Sequence, residues 1–163
     1  MYRGVQMKEE IVEFRVKRLT DTAIMPRKAN EHAAGIDIYS DESLIIRPME
    51  TVLVSTGISV EFPPGYVALL WDRSGMAVKK KLHRMAGVID SDYRGEWKVC
   101  LVNLSGTPEL SFDGTGESIE IKRGDRIIQC VFQKVEPVQV KEVEELDKTA
   151  RGEGGFGSTG LTD

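Results

Sequence analysis

Gly87-Val88-Ile89-Asp90-Ser91-Asp92-Tyr93-Arg94-Gly95-Glu96 lies between two apolar runs and carries more chemistry than either run needs. The arm before it, Met85 to Ile89, and the arm after it, Trp97 to Leu104, are rich in β-branched, aromatic and aliphatic residues. Asp90-Ser91-Asp92 is turn chemistry, because short polar side chains bond back to the local backbone. The stretch reads as a β-hairpin with a loaded tip. A plain hairpin needs one acidic turn residue at most, whereas here Asp90, Asp92 and Glu96 crowd around one Tyr and one Arg. Such like charges repel unless a water, a cation or a sugar uses them. The bland alternative is a solvated turn with Tyr93 packed on its neighbour, and the hairpin alone does not separate the two.

Upstream, the chain continues the β theme. Ser43 to Arg47, Thr51 to Phe62 and Tyr66 to Trp71 are strand-like runs, punctuated by Pro48-Met49-Glu50 and by Pro63-Pro64-Gly65. Ile11 to Leu19 alternates, with Val12, Phe14 and Val16 opposite Glu13, Arg15 and Lys17, the period of a half-buried first strand. Thr20 to His32 loses that alternation and contains Pro26, which makes it a loop. It leads into Ala33 to Ser40, where Gly35 permits close backbone approach before a short strand. Asp37, between two isoleucines, is expected to face solvent.

Asp72 to Leu82 is the best helix candidate, with Asp72 or Ser74 as its cap and the Lys79 to Lys81 run as a solvated face. A helix start bearing Arg73, Ser74 and Gly75 offers a guanidinium fork, a hydroxyl and backbone N–H groups to an anion. A capped surface helix with an arginine in solvent is the competing reading.

Downstream, Ser105 to Glu117 is a Gly- and Pro-containing excursion, Ser118 to Lys122 returns to alternation, and Arg123-Gly124-Asp125-Arg126 is a turn. It feeds a buried strand, Ile127 to Gln133, in which the Gln129 amide must find partners as a ligand group or a packing bridge. Val135 to Val143 reads as the last strand. Beyond it, Arg151-Gly152-Glu153-Gly154-Gly155-Phe156-Gly157-Ser158-Thr159-Gly160 is too glycine-rich for a rigid element. Its backbone N–H groups, hydroxyls, one arginine and one ring suit a lid that orders over a nucleotide.

Composition bounds these readings. A chain of 163 residues, 40% hydrophobic and 29% charged, suits one globular domain. A net charge of −4 with dispersed Lys and Arg argues against direct nucleic acid binding. Cys100 and Cys130 each sit in an apolar run and read as core thiols of a reducing compartment rather than a disulfide or a metal site. No run approaches membrane-spanning length and Met1 to Glu10 lacks a signal-peptide core, which points to a cytoplasmic protein and leaves a nuclear or viral origin open. The expected organisation is an extension over 1–10, a β domain over 11–143 and an arm over 144–163 carrying the lid.

Taken together, Ala34 to Asp37, Arg73 to Ala77, Gly87 to Glu96, Arg123 to Gln129 and Arg151 to Gly160 resemble, in order, the five motifs of the homotrimeric dUTP pyrophosphatase family. The resemblance spans nearly the whole chain from Ile11. It implies an all-β fold, a distorted jelly-roll-like β-barrel subunit with one short helix, assembling as a homotrimer with active sites shared between subunits. The implied reaction is magnesium-dependent (Mg2+) hydrolysis of dUTP to dUMP and pyrophosphate. By the same resemblance Asp90 activates the attacking water, and Arg73, Ser74, Gly75 and Gln129 hold the triphosphate, with Arg151, Ser158 and Thr159 closing over its far end. Gly87, Val88 and Ile89 hold uracil by backbone groups, Tyr93 lies under the deoxyribose, Phe156 stacks on the base, and Asp37 supports the site indirectly. Magnesium is held mainly by substrate phosphates and water, so no protein metal ligand is expected. Two positions depart from the family pattern: Asp72 stands where proline is usual, and Arg84 where many members have a smaller or neutral residue. The fold is also that of dCTP deaminases and would equally suit a nucleotide-switched binding protein; the intact tip and Gly-rich tail argue against the deaminase.

Overall fold

The computed structural model describes residues 11–106 and 116–155. The extension over 1–10, the centre of the excursion over 107–115 and the tail from Phe156 onward, including Ser158 and Thr159, lie outside the described residues.

The strands are β1 (Arg15–Arg18), β2 (Arg27–Lys28), β3 (Ile36–Tyr39), β4 (Leu44–Ile46), β5 (Thr51–Glu61), β6 (Tyr66–Trp71), β7 (Leu82–Arg84), β8 (Val88–Ile89), β9 (Glu96–Asn103), β10 (Ile119–Ile121) and β11 (Arg126–Lys134). They form a four-stranded sheet in the order β1-β5-β9-β7, a five-stranded sheet in the order β2-β3-β11-β6-β8, and a β4/β10 pair. Every pairing is antiparallel. The subunit is all-β, a distorted jelly-roll-like barrel with one short helical turn, as expected.

Alternation in β9 explains why the two large sheets close on each other. Trp97, Val99 and Leu101 point inward and are buried, while Lys98 and Cys100 point the other way. They meet Ile38 of β3, Ala68 and Leu70 of β6, and Cys130 of β11 in one apolar cluster. Phe14, Phe62, Phe132 and Trp97 add a chain of tilted and edge-on rings with centroids 4.9–6.4 Å apart. The fully buried side chains of this cluster contribute on the order of 1.5–3 kcal/mol each. Burial also pushes the Cys130 thiol up to about 12. Cys100 is only half-buried, so the reading of both thiols as core holds for Cys130 alone.

The buried Asn103 joins the small pair to this frame. Its amide nitrogen donates to Ile46 O (3.0 Å) and Glu117 O (2.7 Å), and its amide oxygen accepts from Ser105 N at 2.9 Å.

The tip is not the apex of a two-stranded hairpin. Val88 and Ile89 pair with Leu69 and Ala68 of β6, while β9 pairs with β5 and β7. The loop from Asp90 to Gly95 therefore crosses between the two large sheets. The helix is shorter than expected, a single π-helical turn over Gly75–Lys79. Ser74 makes no side-chain cap, and the Asp72 carboxylate is spent on β7 instead. The first strand begins at Arg15 rather than Ile11, and the loop before β3 contains the short β2. Val135 to Val143 forms no strand in this chain; Val138 and Val140 are 82% and 93% exposed. Its alternation has no partner strand within the described residues.

Candidate active site

The residues expected from the sequence to form the site fall into two groups at opposite ends of β6. The first gathers where β6 ends. Trp71 is paired with Gln129 of β11, and Gln129 is paired in turn with Asp37 of β3, so these positions lie side by side across three strands. Asp37 does not face solvent. It is 6% exposed, and its carboxylate accepts from Arg73 Nε at 2.9 Å and from Arg126 Nη1 at 3.2 Å. Two guanidinium groups make burial of that charge tolerable. Arg73 Nη1 also donates to Arg126 O at 3.2 Å, which fixes the plane of its fork.

Gln129 reaches under the same loop. Its amide nitrogen donates to Asp72 O at 2.8 Å, leaving its amide oxygen against Gly35. A Cβ at Gly35 would stand 2.7 Å from that oxygen, which is the close approach the glycine allows. Arg73, Ser74, Gly75 and Gln129 are thus brought together with one further arginine, Arg126, and one carboxylate, Asp37, in support. A single helical turn adds little dipole of its own. Ser74 is exposed there, beside the half-buried Arg73.

The second group is the tip. Asp90 is exposed, and Asp90 O accepts from Tyr93 N at 3.2 Å to close the turn. Arg94, which is exposed, bonds back to the loop, its Nη1 donating to Ser91 O at 2.7 Å. Tyr93 donates its hydroxyl to Glu96 O at 3.1 Å, and its ring covers Gly95 so closely that any Cβ there would strike it. Gly95, which sequence reasoning did not single out, therefore fixes the ring's seat. Glu96 leaves the acidic cluster altogether. It turns to β5, where its carboxylate accepts from Ser55 Oγ and from Gly57 N, beside Lys98. Burial would raise its pKa, but those hydrogen bonds and Lys98 outweigh it and hold the carboxyl below the usual glutamate range. Asp90 and Asp92 remain as the exposed acids of the tip.

Beside the tip is a cleft of about 170 Å³ lined by Leu53, Leu70, the run Arg84–Ile89 and the run Lys98–Cys100. Its wall includes Gly87, whose φ of +131° and carbonyl bond to Leu70 N (2.8 Å) suit glycine. Backbone groups of the Arg84–Ile89 run and apolar side chains line it together.

A sequence model of the dUTPase family matches residues 21–160. The chain belongs to the dUTPase family. It is thereby a hydrolase of nucleotide metabolism. A deoxyuridine 5'-triphosphate nucleotidohydrolase of Corynebacterium glutamicum is 43% identical over 155 residues, covering 94% of this chain and 98% of the relative. Among solved dUTPases, a substituted Staphylococcus bacteriophage 80alpha enzyme with dUpNHpp superimposes with a TM-score of 0.80 at 31% identity, over 91% of this chain and 99% of that one. A variant dUTPase from phage phi11 of S. aureus, described with a coordinated structural Mg(II) ion, gives 0.72 at 28% identity over 83% and 99%.

Of the Arg151 to Gly160 stretch, Arg151 to Gly155 lie within the described residues; Arg151 is exposed, and its Nε donates to Gly154 O at 2.7 Å in a local turn. Phe156, Ser158 and Thr159 lie outside the described residues. No helix among the described residues is long and apolar enough to cross a membrane.

Proposed function

We propose that the chain, a dUTP diphosphatase, hydrolyses dUTP to dUMP and pyrophosphate by in-line attack of an Asp90-activated water on the α-phosphorus. What supports this is that β6 carries at one end an exposed carboxylate, Asp90, and at the other a guanidinium, hydroxyl and amide cluster, two halves of a site that neighbouring copies would bring together. Asp90 serves as general base, which needs position more than an unusual pKa. Arg73, Ser74, Gly75 and Gln129 hold the triphosphate and take up the charge that spreads over its oxygens in the transition state. Arg151, Ser158 and Thr159 close over the far phosphates, and Phe156 stacks on uracil.

The cleft beside the tip takes the base by the backbone of Gly87, Val88 and Ile89. Tyr93, seated on Gly95, lies under the deoxyribose. A recess this small rejects the 5-methyl of thymine and the 2′-hydroxyl of ribose by overlap.

Asp37, the carboxylate bonded to Arg73, is committed to two arginines, and the described residues hold no group of three or more His, Cys, Asp or Glu that could bind a metal. Magnesium would be carried mainly by the substrate phosphates and water, where it would neutralise phosphate charge.

The spacing of the two groups supports a homotrimer with shared sites. Asp90 follows Ile89, which pairs with Ala68, whereas Arg73 lies beyond Trp71 at the other end of β6. Six residues of strand separate those levels by roughly 20 Å, too far for Asp90 and Arg73 of one chain to work on one α-phosphate. A neighbouring copy supplies the missing half, and the exposed 135–143 segment leaves β11 in position to reach such a copy. In a reducing cytoplasm, which suits the free thiols, the reaction keeps uracil out of DNA and supplies dUMP for thymidylate synthesis.

The test is pyrophosphate release from dUTP with magnesium, beside dCTP and Asp90→Asn. Release from dUTP alone, lost in the variant, is expected. Tight dUTP binding without release would replace hydrolysis by a binding role.

A further inference from the structure

Asp72 is the position where the chain departs from the family pattern directly beside a phosphate-holding arginine. Its carboxylate does not point at the cluster. Oδ2 accepts from His83 Nδ1 at 2.6 Å and Oδ1 accepts from Arg84 N at 2.8 Å, two consecutive residues of β7. An ionised carboxylate only accepts, so the His83 proton sits on Nδ1. The Asp72 carbonyl meanwhile accepts from the Gln129 amide. One residue thus ties the end of β6, the start of the phosphate loop, the side chain of Gln129 and β7.

The tie continues to the base cleft. Arg84, the second departure, lies with its guanidinium 4.6 Å from the centroid of the Trp71 ring, and Arg84 Nη1 donates to Ala86 O. The same guanidinium packs against Gly87, where a Cβ would come within 3.0 Å of Nη1. The two unusual residues are therefore parts of one bridge, running from Gln129 and Arg73 through Asp72 and Arg84 to the cleft wall.

We infer that Asp72 and His83 are positioning residues that hold the phosphate loop and the rim of the base cleft in one geometry, so that substrate affinity depends on their contact. The inference rests on the proposed dUTP hydrolysis. Its mechanism is preorganisation: a loop held in its binding geometry spends less ordering free energy when triphosphate arrives. A negative charge at Asp72 is compatible with a phosphate site because a ring N–H and a backbone N–H absorb it and direct it away.

The experiment measures dUTP kinetics for wild type, Asp72→Ala, His83→Ala, the double variant and His83→Asn, with thermal unfolding and size recorded for each. His83 is 55% exposed at its side chain, so its replacement spares the core. Each single alanine is expected to raise KM about tenfold with kcat within about twofold, and the double variant is expected to be no worse than the worse single, because coupled groups lose one shared interaction. His83→Asn, whose amide N–H can replace Nδ1–H, is expected to recover most of the loss. Unchanged KM in His83→Ala, or losses that multiply in the double variant, would overturn the inference; should Asp72→Ala not fold, the His83→Ala and His83→Asn pair decides alone. Absence of dUTP turnover in the wild type would instead overturn the proposed reaction.

Discussion

Arg73 Nε and Asp37 Oδ1 stand 2.9 Å apart across the end of the five-stranded sheet, with the Asp37 side chain 9% exposed and that of Arg73 25%. Under the proposed reaction, the guanidinium that holds phosphate is aimed by a carboxylate that substrate need not touch, and Asp37 would act through Arg73 and Arg126.

Asp37→Asn keeps the shape and removes the charge that both arginines share. Stability is expected to fall by about 2 kcal/mol, the scale of a hydrogen bond to a charged group in a part-buried site. KM for dUTP is expected to rise about tenfold, since an unaimed fork binds phosphate less well. Urea midpoints and steady-state kinetics on one preparation check both.

Gly35→Ala tests the seat of Gln129. The added methyl would meet Gln129 Oε1 at 2.7 Å and Cβ at 3.1 Å, so the amide side chain has to move. A loss of about tenfold in kcat/KM is expected with little change in unfolding midpoint, because Gln129 is half-buried and its displacement opens no core cavity.

Glu96 sets a pH dependence of stability. Burial raises its pKa, yet the Ser55 hydroxyl, the Gly57 N–H and Lys98 lower it further than burial raises it. Its folded-state value therefore lies below the unfolded one. The stability it contributes is complete above the ordinary glutamate range and is lost as pH falls through the lowered value. Glu96→Gln is expected to cost about 1–2 kcal/mol at pH 7 and almost nothing once the wild-type carboxylate is protonated. Urea titrations on the two sides of that range give the difference.

The sequence carried the strands whose partners lie in the same chain and whose faces alternate. Tyr66–Trp71 coincides with its expected run because turn residues bound it on one side and a polar loop on the other. Locality misled where it stood in for partnership. Val88–Ile89 and Glu96–Asn103 are neighbours in sequence, but one pairs with β6 and the other with β5 and β7, and no local pattern records that choice. Val135 to Val143 has strand composition and no strand partner among the described residues, since alternation describes a face and not its mate. Asp37 was misread for a related reason. The charges that permit its burial come from Arg73 and Arg126, distant in sequence and adjacent only after β3, β6 and β11 have paired. Asp72 looked like a cap by position, yet β7 offered its carboxylate two donors.

The most direct measurement of the shared site mixes two inactive proteins, Asp90→Asn and Arg73→Ala, after subunit exchange. If Asp90 and Arg73 reach each substrate from different copies, random mixing in a closed trimer restores both groups in about a quarter of the sites, and pyrophosphate release returns to about that fraction of wild type. If both groups act from one chain, every site in the mixture keeps a defect and release stays at the level of the separate variants.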